Sequence, residues 1–199
     1  MSVATETPRE TKTETVTRTV PVRLETSQVK NDAVWTVIEE QQAIRQWVAA
    51  HIVTFPSYQW GSRMGMYSQI KDTELWETKT QLAGVAQTAV NKVETMFDSW
   101  ESNGSPGARP SFGDGQYCGV RGRYVDVVAN ETGFGLHLQF EPYSDGHWWG
   151  IDTNPYVTEY LEDVVADDTD MTVGATELHL DDDGELWAHL PVLWEVPLF

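Results

Sequence analysis

The sequence predicts an α+β fold in which a β-barrel has a helical block inserted after its first strand. An alternating segment lies before residue 25, helical periodicity then continues to about residue 102, and from Gln116 onward short strand-like runs alternate with turns. A single early strand that joins the later ones in one barrel places the helices between the first two strands. The chain has 199 residues, enough for one large domain or two small ones.

The first strand is predicted at residues 15–25, with the sequence TVTRTVPVRLE. Apolar residues of one parity indicate one buried strand face: Val16, Val20, Val22 and Leu24. Pro21 has no N–H to donate to a neighbouring strand, and this favours an edge strand or a bulge.

Helices are predicted at 31–53, 64–72 and 77–102, with a loop over 54–63. The last helix carries a long apolar stripe, which is usually a core-facing surface. Asn103-Gly104 then gives a C-cap signal, because glycine adopts the left-handed conformation at low cost.

The remaining chain reads as strands and turns. YCGVRGRYVDVVA and GFGLHLQFE flank the hairpin-like turn NETG, and EPYSDGHWWGID is a loop or a loop followed by a strand. Residues 156–165 fit either a helix or a strand. GATELHL and ELWAHLPVLWEVP flank DDDG, a strong hairpin signal.

The net charge of −18 is distributed unevenly. All 13 Lys and Arg residues lie at or before Arg123, where they face 14 acidic residues; the last 76 residues contain 17 acidic residues and no Lys or Arg. In molar salt the Debye length is only about 3 Å, so net charge says little about partners there. Acidic runs such as residues 181–183 favour a halophile's protein, and an ordinary acidic protein is the alternative.

Several classes of protein are excluded by composition. Cys118 is the only cysteine, so an internal disulfide and an all-cysteine zinc site are excluded. The sequence shows no signal-peptide core and no apolar run of 18 residues. We therefore expect a soluble cytoplasmic protein without a membrane partner.

The sequence shows no motif for catalysis, cofactor binding or metal binding. The five histidines lack metal-ligand spacing, although His179 and His189 can approach each other across the predicted hairpin. The Asp clusters lack the calcium-loop pattern, and neither a phosphate-binding loop nor a nucleophile elbow occurs. We predict no catalytic residue, no cofactor and no metal, and we expect Cys118 to be a buried strand residue.

A binding surface is the chemistry that remains. Arginine and aromatic side chains can hold phosphates and stack on bases, even where salt weakens long-range attraction. They occur here in two groups: Tyr58, Trp60 and Arg63 in the first loop, and Arg109, Phe112, Arg121, Arg123 and Tyr124 after the helical block. Ordinary core and rim residues of a barrel are the alternative.

The segment RTVPVRLETSQVKNDAVWTVIEEQQAIRQWV, residues 18–48, resembles the opening of the TnpB proteins, which are transposon-encoded RNA-guided nucleases. TQLAGVAQTAVNKVETMFDSWESNG, with the later Pro110-Ser111-Phe112, resembles a helix of that family and the Pro-x-Phe element after it. TELHLDDDGELWAHLPVLWEVP resembles the paired strands that lead into the nuclease domain. FGDGQY and the acidic composition resemble haloarchaeal members, and the resemblance covers roughly residues 15–197.

The resemblance implies an oligonucleotide-binding-like barrel with an inserted recognition lobe. It divides the chain into a disordered tail (1–14), a first barrel strand (15–28), a helical lobe (29–104) and the rest of the barrel (105–199). The family's nuclease half carries three acidic catalytic residues and usually a Cys-x-x-Cys zinc element, and nothing in this sequence matches either. We therefore expect no nuclease activity from this chain by itself.

The predicted function is recognition of guide-like RNA, double-stranded target DNA or both. A separate nuclease half or another protein subunit is a possible further partner. The candidate contacts are Tyr58, Gln59, Arg63, Gln87, Asn91, Arg109, Arg121, Arg123 and Tyr124. An alternative of another class is a structural or protein-interaction module of a halophile virus or mobile element that reuses the same fold.

Overall fold

A computed structural model describes residues 12–25, 27–56, 59–60, 65–113, 115–142, 145–166 and 168–198, apart from the side chains of 28–31. Its elements are β1 (Thr13–Leu24), α1 (Gln28–His51), α2 (Met66–Ile70), α3 (Glu74–Thr78), α4 (Ala83–Ser102), β2 (Tyr117–Val120), β3 (Val125–Asn130), β4 (Gly133–Leu138), β5 (His147–Asp152), α5 (Pro155–Val165), β6 (Thr172–Val173), β7 (Thr176–Leu180) and β8 (Leu186–Pro197). The α+β class and the position of α1 to α4 after the first strand are confirmed. Most of the predicted tail, residues 1–11, lies outside the described residues.

The strands form one antiparallel sheet in the order β2-β7-β8-β1-β5-β4-β3, with β6 pairing β8 at the side. This sheet must curl, because β2 ends at Val120 and β3 begins at Val125. Five Cα steps span at most about 18 Å. The end strands of a flat sheet of this width would lie about 29 Å apart. The described strands thus enclose a core as a partly open barrel, in which β2 and β3 do not pair with each other.

The longest pairing joins β1 to β8, from Thr13 opposite Pro197 to Leu24 opposite Leu186. Leu198 N–H donates to the Lys12 carbonyl at 2.8 Å, so the even residues of β1 direct their backbone groups toward β8. Pro21 is odd and directs its nitrogen to the other side. The proline predicted to suit an edge therefore removes no hydrogen bond between the two strands.

Two hydrophobic clusters are joined by helices that enter both. The barrel cluster contains strand residues together with Val34 and Ile38 of α1 and Val85 of α4. The second cluster lies among the helices and contains Ile44 of α1 and Val93 of α4. Since α1 and α4 run continuously from one cluster to the other, the helical block and the barrel pack as one unit.

Strand β2 is an end strand of the sheet, and helix α1 covers the edge of β2 that faces away from β7. The Gln41 side chain donates to the Gly119 carbonyl at 2.8 Å and accepts from the Gly119 N–H at 2.9 Å. One turn later, Arg45 Nη2 donates to the Tyr117 carbonyl at 3.1 Å. Four helical residues rise about 6 Å and two strand residues about 6.7 Å, so this spacing on α1 matches alternate carbonyls of β2.

The predicted helix over 77–102 is divided in the structure. Thr73 caps the short helix α3, and α4 begins only at Ala83. The chain between them is not helical, and there the Glu40 carboxylate accepts hydrogen bonds from the N–H groups of Thr80 and Gln81. These contacts come from a distant part of the chain, and helical periodicity does not report them.

Two turns predicted from the sequence agree with the structure: the one that ends α4 and the one between β7 and β8. Helix α4 ends at Ser102, and Gly104 has a φ of 77°. The hairpin between β7 and β8 closes through the Asp181 N–H, which donates to the Glu185 carbonyl at 3.0 Å. Residues 156–165, which fitted a helix or a strand, lie in α5, which begins at Pro155 after an Asn154 cap, and HWWGID forms β5.

Replacing Gln41 by Leu is expected to lower the free energy of unfolding by about 1–3 kcal/mol, because the half-buried Gly119 N–H loses its partner. Gln46→Leu is the matched control, since Gln46 is exposed on the same helix, and we expect a change of at most about 0.5 kcal/mol. Urea denaturation of the two variants measures this. Equal effects would show that Gln41 does not join the helix to the sheet.

Candidate functional site

A cleft of about 400 Å³ opens where α4 and α1 meet the edge of the sheet formed by β2 and β7. Its lining combines three cations with a single carboxylate and several small polar side chains. The residues that line it are Gln41, Arg45, Thr88, Ala89, Asn91, Lys92, Thr95, Tyr117, Gly119, Val120, Arg121, Ala175, Thr176 and Glu177. We call this the lobe–barrel cleft.

Arg45 forms the floor of the cleft. Only 2% of the residue is exposed, and its guanidinium lies 4.2 Å from the centroid of the Tyr117 ring. Burial lowers the pKa of Arg45, but an arginine remains a cation at neutral pH. The aromatic contact and the bond to the Tyr117 carbonyl hold this charge in one place.

Lys92 and Glu177 form an ion pair across the mouth of the cleft, with 2.5 Å between Nζ and Oε1. The other carboxylate oxygen of Glu177 lies 3.6 Å from His179 Nε2. The His179 ring and, after it, the Lys92 ammonium hold the pKa of the Glu177 carboxyl at about 2, against the opposing effect of burial. Glu177 is therefore ionised at neutral pH and compensates one of the three cations.

Three aromatic rings form a ladder beside the ion pair, on the outer face of β2, β7 and β8. Tyr117 and His179 stack at 5.6 Å, and His179 lies 4.5 Å from His189. The predicted approach of the two histidines is thus confirmed. Burial, and after it the neighbouring His179, lowers the pKa of His189, so this end of the ladder is neutral at neutral pH.

The polar wall of the cleft comes from α4 and from the end of β2. The Thr88 hydroxyl donates to the Gly119 carbonyl at 2.8 Å. Asn91 is exposed on the same helix, and Arg121 follows β2 and is half-buried. A Cβ at Gly119 would lie 3.1 Å from Thr88 Oγ1, so the small residue lets α4 approach the strand.

The structure brings only part of the predicted contact set together. Asn91 and Arg121 line the cleft. Arg123 and Tyr124 lie beside it in the 3₁₀ turn Gly122–Tyr124 and pack over Gly84 in the first turn of α4. Their side chains form a cation–π pair at 4.7 Å, so they already have an intramolecular partner.

The other predicted contacts lie elsewhere. Gln87 is half-buried on α4 without lining the cleft, Gln59 is half-buried in the loop after α1, and Arg109 is exposed in the segment after α4. Tyr58 and Arg63 lie outside the described residues. The cleft therefore keeps two of the nine predicted residues, with the Arg123–Tyr124 pair next to it.

Sequence reasoning missed three of the four charged residues of the cleft, Arg45, Lys92 and Glu177, and the aromatic residue Tyr117. Arg45 did carry one signal in the sequence, because it occupies a position of the apolar stripe of α1. An arginine at such a position is rarely buried unless it has a partner. The others carry no signal, because α4, β2 and β7 meet only in the folded chain. Cys118 is buried as predicted, and burial raises the pKa of its thiol to about 12.

The described residues contain no group of three or more His, Cys, Asp or Glu side chains that could hold a metal ion. Among the helices that the structure describes, none is both long and apolar enough to cross a membrane.

No protein-family model matches the sequence, and no curated protein matches it. Among solved structures, the chain is similar to a protein in the cryo-EM structure of the Cas12f1–sgRNA–target DNA complex, with a TM-score of 0.53 and 10% sequence identity. The match covers 86% of this chain and 43% of the other, so the chain spans less than half the length of this neighbour. At this identity the likeness shows a shared fold.

Replacing Glu177 by Gln is expected to destabilise the fold in a pH-dependent way. Its folded-state pKa of about 2 lies below the ordinary value of 4.5, so the ionised carboxylate stabilises the protein above about pH 4.5. That contribution is lost as the pH falls toward 2. Because 35% of the side chain is exposed, solvent screening reduces the expected loss near neutral pH to about 1–2 kcal/mol.

Urea denaturation of the wild type and Glu177→Gln between about pH 6 and pH 2.5 checks this prediction. The difference in the free energy of unfolding between the wild type and Glu177→Gln should shrink as the pH falls. Glu159→Gln, which removes an exposed carboxylate of α5, is the control, with an expected effect below about 0.5 kcal/mol throughout. A difference for Glu177→Gln that is independent of pH would contradict the assignment.

Proposed function

We propose that the chain is a nucleic-acid-binding module and that the lobe–barrel cleft holds part of the sugar–phosphate backbone. The observation that carries the proposal is the local charge of the cleft. Arg45, Lys92 and Arg121 face a single carboxylate there, in a chain whose net charge is −18. A cleft that keeps positive charge within an acidic protein attracts anions selectively.

The chemistry of the lining suits a phosphodiester. Arg121 offers a planar fork that matches phosphate oxygens, while Asn91 and the Thr95 hydroxyl supply neutral donors. The volume lies within the range of ordinary ligand pockets and is large enough for one nucleotide of a longer strand. These contacts act at short range, so they persist in concentrated salt, where long-range attraction is screened.

The nucleic acids that we propose are guide-like RNA, double-stranded target DNA or both. Two observations support this choice: the resemblance to the TnpB proteins, and the shared fold with a protein solved in complex with sgRNA and target DNA. On this proposal the chain recognises nucleic acid without cleaving it, and a separate nuclease half or another subunit supplies cleavage. We further propose that the chain comes from a halophile, derives from the TnpB proteins and works in the cytoplasm.

A structural or protein-interaction role is the second candidate. It is favoured by the absence of Lys and Arg after Arg123. Apart from the histidines, every ionisable side chain that is charged at neutral pH in the segment from β3 to β8 is therefore acidic. Purification from the native host in molar KCl distinguishes the two functions. A single structured RNA that copurifies with the chain supports recognition, whereas RNA-free protein bound to a protein partner supports the second role.

Charge reversal of Arg121, as Arg121→Glu, is expected to weaken binding of single-stranded RNA and of duplex DNA by about tenfold or more. The slope of log K against log salt should fall by about one, because one phosphate contact is lost. Fluorescence anisotropy over a KCl series measures both quantities.

Lys71→Glu is the matched control for this experiment. It makes the same change of charge at an exposed lysine after α2, outside the cleft, and should alter affinity by less than about threefold. If the two variants weaken binding equally, net charge rather than the cleft determines affinity. If Arg121→Glu binds as the wild type does, the cleft is not the site.

A further inference from the structure

Strand β1 has an unpaired edge along its first half. Its second neighbour, β5, pairs only with Arg23 and Leu24, because the chain leaves β5 at Asp152 and enters α5 at Pro155. Residues 13–19 of β1 therefore pair with β8 on one side only, among the residues that the structure describes. An unpaired strand edge of this length is a template for pairing with another strand.

The backbone groups on this edge belong to the odd residues. The bond from Leu198 N–H to the Lys12 carbonyl assigns the even positions of β1 to β8. The bond from Glu25 N–H to the Gly150 carbonyl independently assigns the odd positions to the β5 side. The N–H and C=O groups that point away from β8 are therefore those of Thr13, Thr15, Thr17 and Thr19, and none of them pairs with another strand in the part of the chain that the structure describes.

The sequence of this edge, TETVTRT, is complementary to itself in the antiparallel direction. When a second copy is placed about a twofold axis at Val16, each Glu14 faces an Arg18 of the other copy. The threonines then face one another, Thr13 opposite Thr19 and Thr15 opposite Thr17. Thr–Thr pairs and opposite charges are both favourable cross-strand pairs.

The parity of the hydrogen bonds agrees with this register. The threonine pairs fall on the odd positions, whose N–H and C=O groups point outward, so each pair can exchange both hydrogen bonds. Glu14, Val16 and Arg18 fall on non-hydrogen-bonded positions, where opposing side chains approach most closely. An axis midway between two residues would set odd residues against even ones and lose these bonds, whereas an axis at Thr15 or Thr17 would keep the parity but no longer place Glu14 opposite Arg18.

We propose that two copies of this chain associate through residues 13–19 of β1, antiparallel about a twofold axis at Val16, and so join their two sheets into one. A second copy is the occupant because the charges of the edge complement themselves: all residues of the segment except Val16 are exposed, and Glu14 and Arg18 lie symmetrically about that residue. Helix α5 contacts β1 on this side, and Arg18 lies 5.8 and 5.7 Å from the ring centroids of Tyr156 and Tyr160, so pairing with a second copy requires Arg18 to turn from these rings toward Glu14 of that copy. Pro21 ends the pairing segment, since it has no N–H to offer.

Sedimentation equilibrium of the full chain at low ionic strength tests the proposal through charge exchange. Glu14→Arg and Arg18→Glu each place like charges opposite one another at both ends of the paired segment. Each should weaken dimerisation by about tenfold. The double variant, Glu14→Arg with Arg18→Glu, restores opposite charges and should dimerise as the wild type does.

An equimolar mixture of the two single variants is the decisive sample. One chain then carries two cations and the other two carboxylates, so the mixture should form a heterodimer while each variant alone is weaker. A wild type that is monomeric at all concentrations overturns the proposal, and so do single variants that dimerise as well as the wild type. A heterodimer that fails to form overturns the antiparallel register.

Thr17→Pro and Thr17→Val distinguish the contribution of backbone hydrogen bonds to dimerisation from that of the side chains. Position 17 is odd, so proline there removes an outward N–H without removing a bond to β8. Thr17→Pro should abolish dimerisation at low ionic strength, and Thr17→Val should keep it. Circular dichroism of both variants verifies the fold, and equal dimerisation of the two overturns the role of this edge.

Discussion

The hydrogen bonds from α1 to the edge of β2 are the constraint on which the rest of the structure depends. An end strand leaves backbone groups unpaired, and here Gln41 satisfies both groups of Gly119 as a neighbouring strand would. Arg45 does the same for the Tyr117 carbonyl one turn later. Because one helix performs this task and also enters both hydrophobic clusters, the orientation of the helical block is set relative to the barrel.

The candidate site is a consequence of the same contact. Arg45 is buried because it covers the strand edge, and its position places a fixed cation at the bottom of the lobe–barrel cleft. Glu177 lies opposite, and its pairing with Lys92 leaves the cleft with an excess of positive charge. A cationic cleft thus arises in an acidic chain without a basic patch in the sequence, because cations from separate elements converge at one point.

Sequence patterns predicted the fold class and much of the element order. They placed the helices after one early strand, ended α4 near Gly104 and located the Asp-Gly hairpin, because these features depend on residues close together in the chain. They failed at Thr80 and Gln81, which are not helical and whose N–H groups donate to Glu40 of a distant helix. Of the predicted contacts, Asn91 on α4 and Arg121 after β2 line the cleft, whereas Gln87 on the same helix as Asn91 does not.

The sequence by itself determined the class of the fold, the local turns and the self-complementary pattern of residues 13–19, all of which follow from spacing along the chain. Only the tertiary structure decided that the sheet curls, that α1 covers the edge of β2 and that Lys92 faces Glu177. The physical reason is that periodicity records which face of an element is apolar. It does not record which other element that face, or a charged side chain at its margin, will meet.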